Sequence, residues 1–146
     1  QLVASCYLAI AADTAQFSTP GVHIGLFCST PMVALSRNVA DKHAMEMLLT
    51  GEMTSAARAA EIGLINRAVA ADDLRDATMT LARKIALKSS MTLATGKRAY
   101  YAQRELGLSD AYAYASAVMV DNMLTLDAEE GIGAFIEKRA PKWQDV

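Results

Sequence analysis

The chain has 146 residues, of which 53% are apolar and 21% charged, with a formal net charge of −2. This is enough for one apolar core, but there is no basic excess of the kind a nucleic-acid-binding face requires. No apolar run reaches the roughly 20 residues of a membrane-spanning helix, so neither nucleic acid nor membrane is expected as a partner.

The chain begins at Gln1 with a segment that reads as the middle of a helix. Residues 6–12 form a short apolar run suited to a buried strand that ends at Asp13. Residues 15–19 alternate and stop at the turn signal Pro20-Gly21, a second short strand. Residues 21–31 read as a loop, after which Pro31 sits in the first turn of a helix capped by Thr30. A helix over 40–49 closes at Gly51, the residue best suited to a left-handed cap. Thr54 or Ser55 then caps a short helix that stops at Gly63, and residues 65–69 read as a strand. Asp72-Asp73 opens a helix with Leu74, Ala77, Leu81 and Ile85 on one stripe. Further helices are expected over 91–104 and 109–126. A last helix starts at Asp127, with Glu130 completing a capping-box-like start, and ends before Pro141. The expected division is residues 1–72, strands mixed with helices, and residues 73–146, helices only; a four-helix bundle is the alternative for the second part.

Two cysteines, Cys6 and Cys28, make no disulfide framework and read as thiols in a reducing compartment. That compartment is expected to be the cytoplasm, or the mitochondrial matrix for a eukaryotic source. The set Cys6, His23, Cys28 and His43 matches no zinc spacing, so no metal is expected.

Two blocks carry a resemblance. Thr50-Gly51, Ser55-Ala56 and Gly63-Leu64 are spaced as in the enoyl-CoA hydratase/isomerase (crotonase) superfamily, and Glu130-Gly131 through Phe135, Lys138-Arg139 and Pro141 is similar to its C-terminal signature. Gln-Leu-Val-Ala-Ser-Cys, Thr-Pro-Gly-Val and Gly-Leu-Phe-Cys-Ser-Thr-Pro further resemble one subgroup, the enoyl-CoA hydratase domain-containing protein 3 type, whose other members carry Asp where this chain has Tyr7. The resemblance spans the whole chain but only the second half of the family domain, so a fragment or truncated copy of a longer protein is expected. It implies an α/β crotonase-like ββα spiral (second half), followed by a helical C-terminal trimerisation region. The ligand it implies is a coenzyme A thioester, as substrate or ligand, with no other cofactor, and the assembly a homotrimer or dimer of trimers.

The same resemblance places the family's two catalytic glutamates at Gln1 and Gly21, with Phe17, Pro20 and Gly25 anchoring the register. Glutamine has no proton to exchange near neutral pH and glycine has no side chain, so both acid–base positions are empty. The two backbone donors that hold the thioester oxygen lie, in the family, ahead of Gln1. His23 and Phe27 are candidates for the acyl pocket. Asp13, Ser29 and Thr30 are weaker candidates for orienting a water. By the resemblance Phe135 borders the acyl or pantetheine channel and Lys138 reaches the phosphate-bearing end of CoA. Read without the family, Phe135 is core packing and Lys138 a solvated charge. The function that follows is an acyl-CoA-processing protein with altered chemistry; the alternative is a non-catalytic CoA-thioester-binding or assembly subunit.

Overall fold

The computed structural model describes residues 1–145. They form two compact units, Gln1–Leu81 and a second from Ala82 onward. In the first, α1 (Leu2–Ser5) leads to β1 (Ile10–Ala12) and β2 (Gln16–Phe17), a 3-10 turn (Pro20–Ile24), α2 (Ser29–Ser36), α3 (Asp41–Thr50), β3 (Thr54–Ser55), α4 (Ala56–Glu61) and β4 (Arg67–Val69). β1 and β4 pair in parallel, Ile10 opposite Arg67, with α2, α3 and α4 in the connection between them. β2 and β3 pair antiparallel, Gln16 opposite Ser55.

The core of this unit is apolar. Leu35, Val39, Met47, Leu48, Leu64 and Ile65 are buried together with small residues, among them Ala56 and Ala59 on one face of α4. Both alanines are fully buried, and their lack of bulk lets α4 lie close against its neighbours. Polar side chains fasten the turns: Thr19 Oγ1 donates to the carbonyl of Met47, and Ser18 Oγ to that of Gly51. Gly51 and Gly63 adopt left-handed conformations (φ 64 and 81), and Ser55 Oγ accepts the Arg58 N–H.

Several expectations are corrected here. Residues 6–9 are not strand, and Tyr7 and Leu8 are exposed, because only Ile10–Ala12 find a partner in β4. Part of the expected loop over 21–31 is helical, since the 3-10 turn occupies Pro20–Ile24 and α2 begins at Ser29. Thr30 therefore lies within α2, whose cap is Cys28. Of residues 65–69, only Arg67–Val69 pair as a strand.

In the second unit α6 (Ser90–Gln103) packs on α7 (Leu108–Met123), and α7 on α8 (Leu126–Glu137). The division falls within the sequence of helix α5 (Leu74–Ala86), in which Leu74, Ala77 and Leu81 are half-buried and Ile85 is exposed. Ser89 and Thr125 cap α6 and α8 by accepting the N–H groups of Thr92 and Ala128. Asp127 is not the cap of the last helix: Thr125 holds that position, and Asp127 turns inward to bond elsewhere.

Candidate functional site

Gln1 borders a cavity of about 230 Å³ in the first unit, walled by Phe17, Thr19, Pro31, Leu35 and Leu64. Its carbonyl receives the Ser5 N–H and hydroxyl, which fixes the start of α1. Its side-chain amide makes no hydrogen bond among the described residues. The wall is apolar apart from Gln16, Ser18 and Thr19, and the last two hydroxyls are committed to carbonyls of α3 and its cap. The free amide can thus offer donors and an acceptor into the cavity, but no titrating group.

Gly21 sits where the chain folds back on itself. Its carbonyl accepts the Leu26 N–H at 2.9 Å, and its own N–H points at Cys28 Sγ at 3.3 Å. A Cβ added to Gly21 would lie 2.7 Å from the Leu26 carbonyl oxygen and 2.8 Å from Cys28 Sγ. Both distances are far inside van der Waals contact, and the first obstacle is backbone, which cannot rotate away. Any side chain at this position therefore requires the 21–28 loop to open.

His23 and Phe27 do not line that cavity. His23 Nε2 lies 3.3 Å from the Gly51 carbonyl oxygen, and its ring rests where a Cβ on Gly51 would fall, so it braces the end of α3. Phe27 is half-exposed, and its carbonyl accepts the N–H and hydroxyl of Ser29. Asp13 donates its N–H to the Val69 carbonyl at the end of the β1–β4 pair. The four cysteine and histidine residues considered for a metal each have separate partners: Cys6 the Leu2 carbonyl, Cys28 the Gly21 N–H, His23 the Gly51 carbonyl, and His43 the guanidinium of Arg58.

In the second unit the C-terminal signature is mostly structural. Glu130 takes both Nη atoms of Arg139, at 2.6 and 2.9 Å, and the Lys142 N–H at 2.6 Å. The Arg139 bond and the Lys142 N–H together hold the Glu130 carboxyl down at about 2. Trp143 donates Nε1–H to the Leu87 carbonyl and lays its ring on Gly131, where a Cβ would stand 3.3 Å from it. Asp127, only 2% exposed, accepts the N–H groups of Gln144 and Asp145. The Ser89 hydroxyl and then the Gln144 N–H lower its pKa. Residues 139–145 thus form a strap laid back along α8. Sequence reading missed it, although a lone tryptophan so close to Asp127, Glu130 and Gly131 was a usable signal.

The strap leaves Phe135 and Lys138 outside. Phe135 is 84% exposed, not packed in a core. Lys138 lies just past the helix: α8 ends at Glu137 and Lys138 turns left-handed (φ 56, ψ 37).

Comparison with known proteins identifies the family. The family described as Enoyl-CoA hydratase/isomerase matches residues 1–146. Enoyl-CoA hydratase domain-containing protein 3, mitochondrial, of Rattus norvegicus is 51% identical over 143 residues, which is 98% of this chain and 48% of that protein. An enoyl-CoA hydratase from Mycobacterium smegmatis superposes with a TM-score of 0.94 at 48% identity, covering 97% of this chain and 55% of the other. For human enoyl coenzyme A hydratase domain-containing protein 3 the TM-score is 0.93 at 49% identity, over 97% and 56%. The chain spans about half the length of the curated relatives it matches. Its helix-rich fold with short strand pairs is crotonase-like, and the chain belongs to the enoyl-CoA hydratase/isomerase family.

Proposed function

We propose that the protein, in its natural length, processes acyl-CoA thioesters with altered acid–base chemistry, because Gln1 and Gly21 stand where the resemblance expects the family's two glutamates. Hydration of an enoyl thioester needs one carboxylate to activate water and a second acid to protonate the α-carbon. The observation that carries the reading is the close approach at Gly21, where the Leu26 carbonyl and the Cys28 thiol occupy the space a carboxylate side chain would need. The Gln1 amide at the cavity is compatible with holding a thioester carbonyl or a water, without proton exchange.

Phe135 and Lys138 serve, in this reading, as the channel border and as a contact to the phosphate-bearing end of CoA. Their exposure supports such a role. The assembly is a trimer or a dimer of trimers, supported by the apolar side chains that α7 and α8 expose, among them Met119, Val120, Leu124 and Ile136. The word "mitochondrial" in the names of the curated relatives supports the matrix as compartment.

Following the loss of enoyl-thioester absorbance tests the central claim. Short enoyl-CoA should turn over several powers of ten more slowly than with an ordinary hydratase, since general acid and base each supply about 10²–10⁴-fold. Ordinary turnover would overturn it. The second reading, a non-catalytic CoA-thioester-binding or assembly subunit, is favoured by the same closed loop. Calorimetric binding of CoA thioesters without turnover of any of them would select it.

A further inference from the structure

A helix that ends in a left-handed residue normally places glycine there, because a side chain crowds the following carbonyl. This chain places Lys138 there. The next residue explains how the turn is held. Arg139 reaches back two turns to grip Glu130 with both Nη atoms while its Nε meets Glu137, and its backbone N–H bonds the Ala134 carbonyl. Glu130 also receives the Lys142 N–H, so one carboxylate ties down both sides of the bend beyond α8. Arg139 is thereby committed to carboxylates. The Lys138 ammonium, by contrast, makes no hydrogen bond or ion pair among the described residues and is exposed, close to the exposed ring of Phe135 in sequence.

We propose that Glu130, acting through Arg139, is a positioning residue: it holds the turn at Lys138 left-handed and so fixes the backbone from which an ammonium reaches the phosphate-bearing end of CoA. The inference rests on the reading of Lys138 given above, and adds Glu130 and Arg139 as the pair that makes the contact effective. A flexible lysine would have to be ordered on binding at an entropic cost; a lysine on a braced turn has its backbone already ordered.

The test is a double-mutant cycle on the natural-length protein, read by calorimetry with CoA and by thermal unfolding. Lys138→Ala should weaken CoA roughly tenfold, as loss of one charge-assisted contact does. Glu130→Gln should weaken it several-fold, yet add nothing in the Lys138→Ala background, because no ammonium remains to be positioned. Thermal stability should fall with Glu130→Gln in both backgrounds alike, which separates the fold from the contact. If Lys138→Ala leaves the affinity unchanged, the Lys138 reading falls and takes this inference with it. If Lys138→Ala weakens binding while Glu130→Gln does not, or weakens it equally in both backgrounds, the positioning role alone is overturned. Should Glu130→Gln fail to fold, Arg139→Lys reads the same coupling, since it keeps the charge but loses the two-pronged grip.

Discussion

The two units are held by different forces. Eleven buried apolar residues form the core of the first unit, where helices α2, α3 and α4 close over short strand pairs. In the second, among the described residues, the buried side chains are Ala134, Ser89 and Asp127, and the large apolar residues Leu108, Tyr112, Leu124, Phe135 and Ile136 face outward. To the packing of α6, α7 and α8 it adds a polar strap: two carboxylates on α8 collect backbone N–H groups and a guanidinium from residues 139–145. Burial of apolar surface is indifferent to pH and direction, whereas charged hydrogen bonds are directional and titrate. The first unit can therefore tolerate an acid pH that loosens the strap of the second.

The largest effect that sharpens this contrast is in the first core. Leu48 is 1% exposed, so Leu48→Ala should cost about 2–5 kcal/mol, measured by urea unfolding of the natural-length protein. Ile136→Ala, at a residue 72% exposed, should stay within about 0.5 kcal/mol unless an assembly buries it. Equal losses at the two sites would break the comparison.

A middle-sized effect is expected at Gly21. Gly21→Glu must push apart the Leu26 carbonyl and Cys28 Sγ, an overpacking that should cost about 1–3 kcal/mol. Adding Cys28→Ala should recover part of that loss, but not all, since the backbone obstacle stays. Alone, Gly21→Glu should bring no hydratase turnover. A stable variant with the full cost absent would show that the loop opens freely.

The smallest perturbation is a change of pH. Glu130 is held at about 2 against an ordinary 4.5, and Asp127 is also lowered. Because both folded-state values lie below the unfolded ones, the strap's contribution is present above about pH 4.5. It is lost as the pH falls through the folded values towards about 2. Trp143 is the chain's single tryptophan and packs within the strap, so its fluorescence should report release in this window. Far-UV signal from the first unit should hold longer. Release of Trp143 at neutral pH would contradict the assigned bonds.

Local punctuation was legible without the fold. Gly51, Ser55 and Gly63 sit where a backbone angle or a hydroxyl decides the chain's course within a turn, and each does what its residue type favours. Thr30 and Asp127 each have the right chemistry for a cap, but α2 already begins at Ser29, ahead of Thr30, and at Asp127 the choice is made by distant partners. Asp127 bonds residues 17 and 18 positions away and leaves the cap to Thr125. The residue pattern at positions 1 and 21 was visible at once, whereas the closure of the loop over Gly21 depends on Leu26 and Cys28 returning to it.

Family membership, helix boundaries near glycine and hydroxyl caps, and the absence of acids at Gln1 and Gly21 are written in residue identity and spacing, because they depend on short-range covalent geometry and side-chain chemistry. Which carboxylate faces inward, where Trp143 lands, that Lys138 leaves the helix axis, and that a side chain at residue 21 has nowhere to go were decided by tertiary packing. These depend on groups brought together across the fold, where the best of several chemically equivalent partners is the one that geometry allows.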